Sequence, residues 1–104
     1  MTHWVDACAA SEIDEEDVIR FDYKGHSLAL YRLKNDRYFA TSGHCTHENV
    51  HLADGLVMGG VIECPKHNGR FDILTGKAKG APVCMDLKVF PIKLENGRVF
   101  VGFE

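Results

Sequence analysis

The chain has no apolar run long enough to span a bilayer, and its opening residues, MTHWVDACAASEIDEED, lack the basic segment and apolar stretch of a secretory signal. Those absences predict a cytoplasmic protein with no membrane partner. Clustered Lys and Arg are missing as well: 12 basic residues stand against 15 acidic ones, for a formal net charge of −3. Phosphate binding needs concentrated positive charge, so nucleic acid is not expected as a partner. Glycine-rich phosphate loops are absent, Ser11, Ser27 and Ser42 sit in no nucleophile motif, and carboxylates such as Asp54 and Asp72 have no evident pairing. No catalytic residue is identified. With 104 residues the chain is expected to form one domain, 1–104, because a second would have no core of its own.

What is present is mostly β pattern. From Val18 onward, VIRFDY, SLALYRL and RYFATS alternate apolar and polar residues and are separated by the KGH and KND turns. The C-terminal segment repeats the pattern in VFPIKL and VFVGF, where Asn96-Gly97 suits a type I′ turn. One helical turn is expected within Ala10–Asp17, with Ser11 as N-cap; its five acids between Glu12 and Asp17 read as a solvated face. Trp4 is expected as a core or edge anchor. The stretch from Gly43 to Pro82 differs, holding seven of the ten glycines and two of the three prolines. It reads as irregular loops inserted into a small barrel, a metal-binding lobe over residues 43–82.

That lobe carries Cys45 and His47 as C-x-H, and Cys64 and His67 as C-x-x-H. Two short pairs on separate loops can close on one centre from two sides. The ligand set alone fits either tetrahedral zinc or an iron–sulfur cluster. The order of the ligands favours the cluster: zinc fingers of the Cys2His2 kind usually place both cysteines in one pair, whereas here each loop brings one of each. In a Rieske [2Fe–2S] centre the cysteines hold one iron and the histidines the other, so each loop touches both irons. Gly43 and Gly69, beside the ligands, are expected to let backbone N–H groups reach the bridging sulfides.

CTH followed by CPKHNGRFD resembles the two loops of a Rieske protein, and GRFD, TGKA and APV in that order extend the likeness over nearly the whole chain. In that extent the chain resembles the Rieske ferredoxins of bacterial aromatic-ring-hydroxylating dioxygenase systems. The resemblance implies Cys45, His47, Cys64 and His67 as ligands of one [2Fe–2S] cluster. It also implies an all-β Rieske fold, three antiparallel sheets with the cluster at the tip of a smaller lobe. The implied function is electron transfer in aromatic compound catabolism, from a flavin-dependent NADH ferredoxin reductase to a terminal Rieske oxygenase, by a monomeric carrier that is not itself an enzyme. The outer edges of His47 and His67 are then the expected exit for the electron, and Glu48, Asn49, Lys66 and Asn68 the expected docking rim.

High-potential Rieske proteins carry a disulfide between the loops and Ser and Tyr hydroxyls near the cluster. The matching positions here resemble Val50 and Lys66, and Gly69 and Phe71. Without those hydroxyl donors the reduced cluster is less stabilised, so the potential is expected at the low end of a range of roughly −150 to +300 mV. His44 and His51 break the ligand spacing and are expected at the surface or behind the ligands. Cys8 and Cys84 are expected as small buried hydrophobes. Pro65 fixes the backbone between two ligands, and Gly80-Ala81-Pro82 resembles the loop that covers a Rieske cluster. A structural zinc domain, a small subunit of a nitrite-reductase-type enzyme and a redox sensor are the competing readings.

Overall fold

The computed structural model describes residues 1–45, 50–66, 69–80 and 85–104. Ten strands run in chain order as β1 (His3–Ala9), β2 (Asp17–Tyr23), β3 (His26–Leu33), β4 (Arg37–Ser42), β5 (Leu56–Met58), β6 (Val61–Glu63), β7 (Arg70–Asp72), β8 (Val89–Phe90), β9 (Ile92–Glu95) and β10 (Arg98–Phe103). They form three antiparallel sheets, ordered β1-β10-β9, β2-β3-β4-β8 and β5-β6-β7. The all-β, three-sheet expectation holds. No α-helix occurs among the described residues.

The β2, β3 and β4 segments pair as two successive hairpins in the register that their alternation implies. Their turns use residues that tolerate positive φ: Lys24 and Gly25, then Asn35 and Asp36. Asn96 and Gly97 also both have positive φ, as a type I′ turn between β9 and β10 requires.

The middle sheet separates two apolar cores, which is why β3 is buried on both faces. Leu28 and Leu30 point to one side, with Ala40, Phe90, Val99, Val101 and Phe103. Ala29, Tyr31 and Leu33 point to the other, with Leu52, Ile62, Phe71, Ile73 and both described lobe cysteines, Cys45 and Cys64. The period-2 geometry of a strand thus lets β3 serve both cores at once.

Four details depart from the sequence reading. The N-terminal segment is a full strand, β1, paired with β10 and interrupted by an irregularity between Asp6 and Cys8. The middle of the chain is not only loop, because β5, β6 and β7 build a sheet of their own. VFPIKL divides at Pro91: β8 pairs with β4, whereas β9 pairs with β10 in another sheet. The expected helical turn is a 3-10 turn at Ala10–Glu12, and Ser11 lies inside it while Ala9 occupies the N-cap. There the Glu12 carboxylate accepts the Ala9 N–H at 2.7 Å, which satisfies a donor that a Ser11 cap would have left to solvent. Ile13, set among the acids, is fully buried and plugs the first core.

Two minor expectations are met. Cys8 is buried. Trp4 is an edge residue of β1, with Lys93 Nζ 4.6 Å from its ring centroid. Cys84, Pro82 and Ala81 lie outside the described residues.

Candidate metal centre

Cys45 and Cys64 occupy equivalent places on two hairpins. After β4 the chain continues as a narrow ladder in which the Leu52 N–H donates to the Gly43 carbonyl at 2.7 Å and the Cys45 N–H donates to the Val50 carbonyl at 3.0 Å. His44 and His51 face each other between those rungs. In the second hairpin, Glu63 pairs with Arg70 and the next rung is the Cys64 N–H on the Gly69 carbonyl at 2.6 Å. Each cysteine therefore stands on a rung whose partner lies five residues on, Val50 for Cys45 and Gly69 for Cys64. Pro65, directly after Cys64, has no N–H to donate and is exposed.

Both thiols face the same apolar core: Cys45 is 6% exposed and Cys64 1%. His47 and His67 lie outside the described residues, as do Glu48, Asn49 and Asn68; Lys66 is exposed. The donor set fits a [2Fe–2S] group. Two thiols facing one apolar core are donors that a soft metal centre takes as thiolates, with its positive charge offsetting theirs. Phe71, fully buried in β7, packs in the same core as the two thiols and offers no hydroxyl there.

Gly43 has a role that its sequence position did not suggest. Its own N–H donates to the Ser27 carbonyl at 2.8 Å. What requires glycine is the His51 ring: a Cβ at residue 43 would collide with its Nε2, lie 2.7 Å from its Cε1 and 3.0 Å from the Leu28 carbonyl carbon.

His51 is the residue that spacing alone undervalued. It is buried behind the first hairpin, whereas His44 beside it is exposed, their ring centroids 5.2 Å apart. Its Nδ1 accepts the Ala53 N–H at 3.0 Å, so the proton of the neutral ring sits on Nε2, 2.9 Å from Ser27 Oγ. Ser27 Oγ donates in turn to Asp22 Oδ1 at 2.7 Å, and Arg20 Nε donates to the same carboxylate at 3.0 Å. Burial pushes the His51 pKa below its ordinary value, and the Arg20 and His44 charges add to this. The Ser27 hydrogen bond and Arg20 hold Asp22 below the usual carboxylate range.

A serine, a histidine and an aspartate thus meet, but their wiring excludes a hydrolytic triad. The hydroxyl proton points to the aspartate, and the histidine nitrogen facing the serine, Nε2, carries the ring proton because Nδ1 accepts a backbone N–H, so it cannot act as a base toward Ser27. The signal for His51 was in the sequence only as a histidine with glycine eight residues earlier, which no local rule singles out.

The model of the Rieske [2Fe-2S] domain matches residues 3–91. The chain belongs to the Rieske [2Fe–2S] family. Among curated relatives of this Rieske protein, the ferredoxin component of the naphthalene 1,2-dioxygenase system of Pseudomonas putida is 46% identical over 98 residues, covering 94% of this chain and 93% of the relative. Among solved structures, one described as a complex of reduced oxygenase and oxidized ferredoxin in carbazole 1,9a-dioxygenase matches with a TM-score of 0.87 and 37% identity, over 94% of this chain and 91% of that one. The Sphingomonas yanoikuyae B1 ferredoxin matches with a TM-score of 0.90 and 32% identity, over 98% and 100% of the two chains. The Rieske chain is thus an electron-transfer ferredoxin of the dioxygenase type that carries a Rieske [2Fe–2S] cluster, and it is a carrier rather than an enzyme. A zinc centre is not the family's cofactor.

Proposed function

We propose that this ferredoxin carries single electrons from a flavin-dependent NADH reductase to a terminal aromatic-ring-hydroxylating oxygenase, with Cys45, His47, Cys64 and His67 holding the cluster. The observation that carries the reading is the equivalence of the two hairpins. Each presents a buried cysteine on a rung, and in the sequence a histidine follows it by two or three residues, which supports a reading in which each hairpin supplies one thiol and one imidazole. When bound, the cluster takes up and releases one electron. The chain's own part is to exclude water from the thiol side, with Leu52, Ile62, Phe71 and Ile73, and to hold both cysteine backbones rigid through the closing rungs.

Two of the relatives named above are ferredoxins of dioxygenase systems, and one of these is seen with its oxygenase. Transient docking over the two hairpins, with Lys66 at the rim, suits a shuttle that must leave each partner quickly. A single domain spanning 1–104, acting as a monomer in the cytoplasm, fits the same role. Among the described residues no helix is long and apolar enough to cross a membrane, and the Cys8 thiol is not in a disulfide.

The test is an ultraviolet–visible and low-temperature EPR spectrum before and after dithionite, with iron and acid-labile sulfide assayed on the same sample. A rhombic signal with average g below that of all-cysteine clusters is expected, lost in Cys64→Ala and His67→Ala. The reduced protein should then support turnover by a naphthalene-type oxygenase in the presence of NADH and reductase. A colourless protein containing zinc would sink the reading.

A further inference from the structure

The first ligand hairpin is held to the body by more than its own ladder. His51 is tied at both ring nitrogens, to the Ala53 N–H on one side and to Ser27 Oγ of β3 on the other. Ser27 is anchored to Asp22 of β2, and Arg20 of β2 holds that carboxylate. One continuous chain of bonds therefore joins the hairpin to two strands of the middle sheet. The ring also lies directly over Gly43, and the backbone of residue 51 pairs with that of His44, the neighbour of Cys45. A residue that merely filled space here would be apolar; this one has a donor and an acceptor, each matched to a partner of opposite character.

We propose that His51 is a positioning residue for Cys45: through the Ser27–Asp22 chain it locks the first hairpin onto β3 and so fixes where the Cys45 sulfur is presented. The inference rests on the reading of Cys45 as a cluster ligand. Its geometry is asymmetric, because the second hairpin is continuous with a three-stranded sheet while the first leaves its sheet after Ser42. The lock supplies to the first hairpin what β6–β7 pairing supplies to the second.

Three variants of the holoprotein separate the lock from simple packing. Ser27→Ala removes the acceptor and leaves the ring in place. His51→Asn keeps an acceptor for the Ala53 N–H but loses the reach to Ser27. His51→Gln places an amide N–H near the Nε2 position and is the conservative rescue.

The readouts are the g values of the reduced cluster and the rate at which a chelator bleaches the oxidised one. Ser27→Ala and His51→Asn should both shift the g values and bleach about tenfold faster, as expected when one hydrogen bond of ordinary strength is lost. His51→Gln should stay near the wild type, and the Ser27→Ala/His51→Asn double variant should bleach no faster than His51→Asn alone. Wild-type g values and bleaching in Ser27→Ala, or a Gln variant as impaired as the Asn one, would overturn the proposal. Ser27 is only half-buried and its hydroxyl is small, so loss of folding does not obscure that variant. A wild-type chain without the rhombic signal would instead overturn the reading of the site itself, and this inference with it.

Discussion

Tyr31 on β3 donates its hydroxyl proton to Thr41 Oγ1 on β4, across 2.7 Å in the core that holds Cys45 and Cys64. The direction follows from the second bond: the Thr41 hydroxyl proton is already given to the Ser42 carbonyl at 2.9 Å. Burial raises the Tyr31 pKa far above its ordinary value, so the phenol remains a neutral donor. Removing the donor and removing the acceptor are then unequal changes. Tyr31→Phe should cost about 1 kcal/mol, while Thr41→Val strands a fully buried hydroxyl and should cost about 2–3 kcal/mol. Urea unfolding of the holoproteins measures both. Equal losses would show that the tyrosine hydroxyl finds another acceptor.

Gly43→Ala is expected to be among the most damaging single-methyl changes in the chain. The added Cβ meets the His51 ring and the Leu28 backbone, and neither has room to retreat. Overpacking of this kind costs about 1–3 kcal/mol, and cluster content should fall with it. The same substitution in a His51→Ala background should cost at least about 1 kcal/mol less, because the methyl then enters the space the ring has left. Additive losses would mean that Leu28, and not His51, is the obstacle.

The parts of this fold legible in the sequence are those decided locally. The strands between Val18 and Ser42 are bounded by turn residues, and Gly25, Asn35 and Asp36 adopt the positive φ their types permit. The strand β1 was not legible because its partner, β10, lies at the far end of the chain and its alternation shifts at the Asp6–Cys8 irregularity. Strands β5 to β7 have three residues each, too few for any period to show, and glycines at 55, 59, 60 and 69 dominate their surroundings. The four candidate ligand positions stand out in the sequence because metal chemistry restricts spacing; of the four, Cys45 and Cys64 lie among the described residues, on equivalent hairpin rungs. The residues behind them do not stand out, since His51 and Ser27 meet only through tertiary contact.

Cys8 should behave as a buried hydrophobe and not as a ligand. It sits in the first core with Val99 and Val101, on the far side of the middle sheet from Cys45 and Cys64. Burial pushes its thiol pKa up, and the Glu12 charge adds to this, so little thiolate forms at neutral pH. Alkylation by iodoacetamide should be slow in the folded protein. Cys8→Ala should keep the full iron and sulfide content and lose about 1 kcal/mol of stability. Loss of iron in that variant would place Cys8 in the metal site after all.

Stability should also carry a histidine signature in the weakly acidic range. The His51 pKa is lowered on folding, first by burial and then by the Arg20 and His44 charges, against the opposing pull of Asp22 and Asp54. Below the unfolded value near 6.5, the unfolded chain therefore binds a proton at this position more readily than the native one. The contribution is fully present above that value and is lost as pH falls toward the lower native pKa. Each unit of depression corresponds to about 1.4 kcal/mol. The lowered pKa of Asp22 acts in the same direction but in a separate window, below its ordinary value of 3.8. Denaturant unfolding of the holoprotein should then show a loss between about pH 7.5 and about pH 5 that is smaller in His51→Gln, whose amide has no proton to gain. The comparison with Gln isolates His51, because every other ionisable group is common to both proteins. Parallel pH profiles would mean that His51 titrates alike folded and unfolded, and that the protein neutralises the burial penalty by letting Ala53 and the ring part.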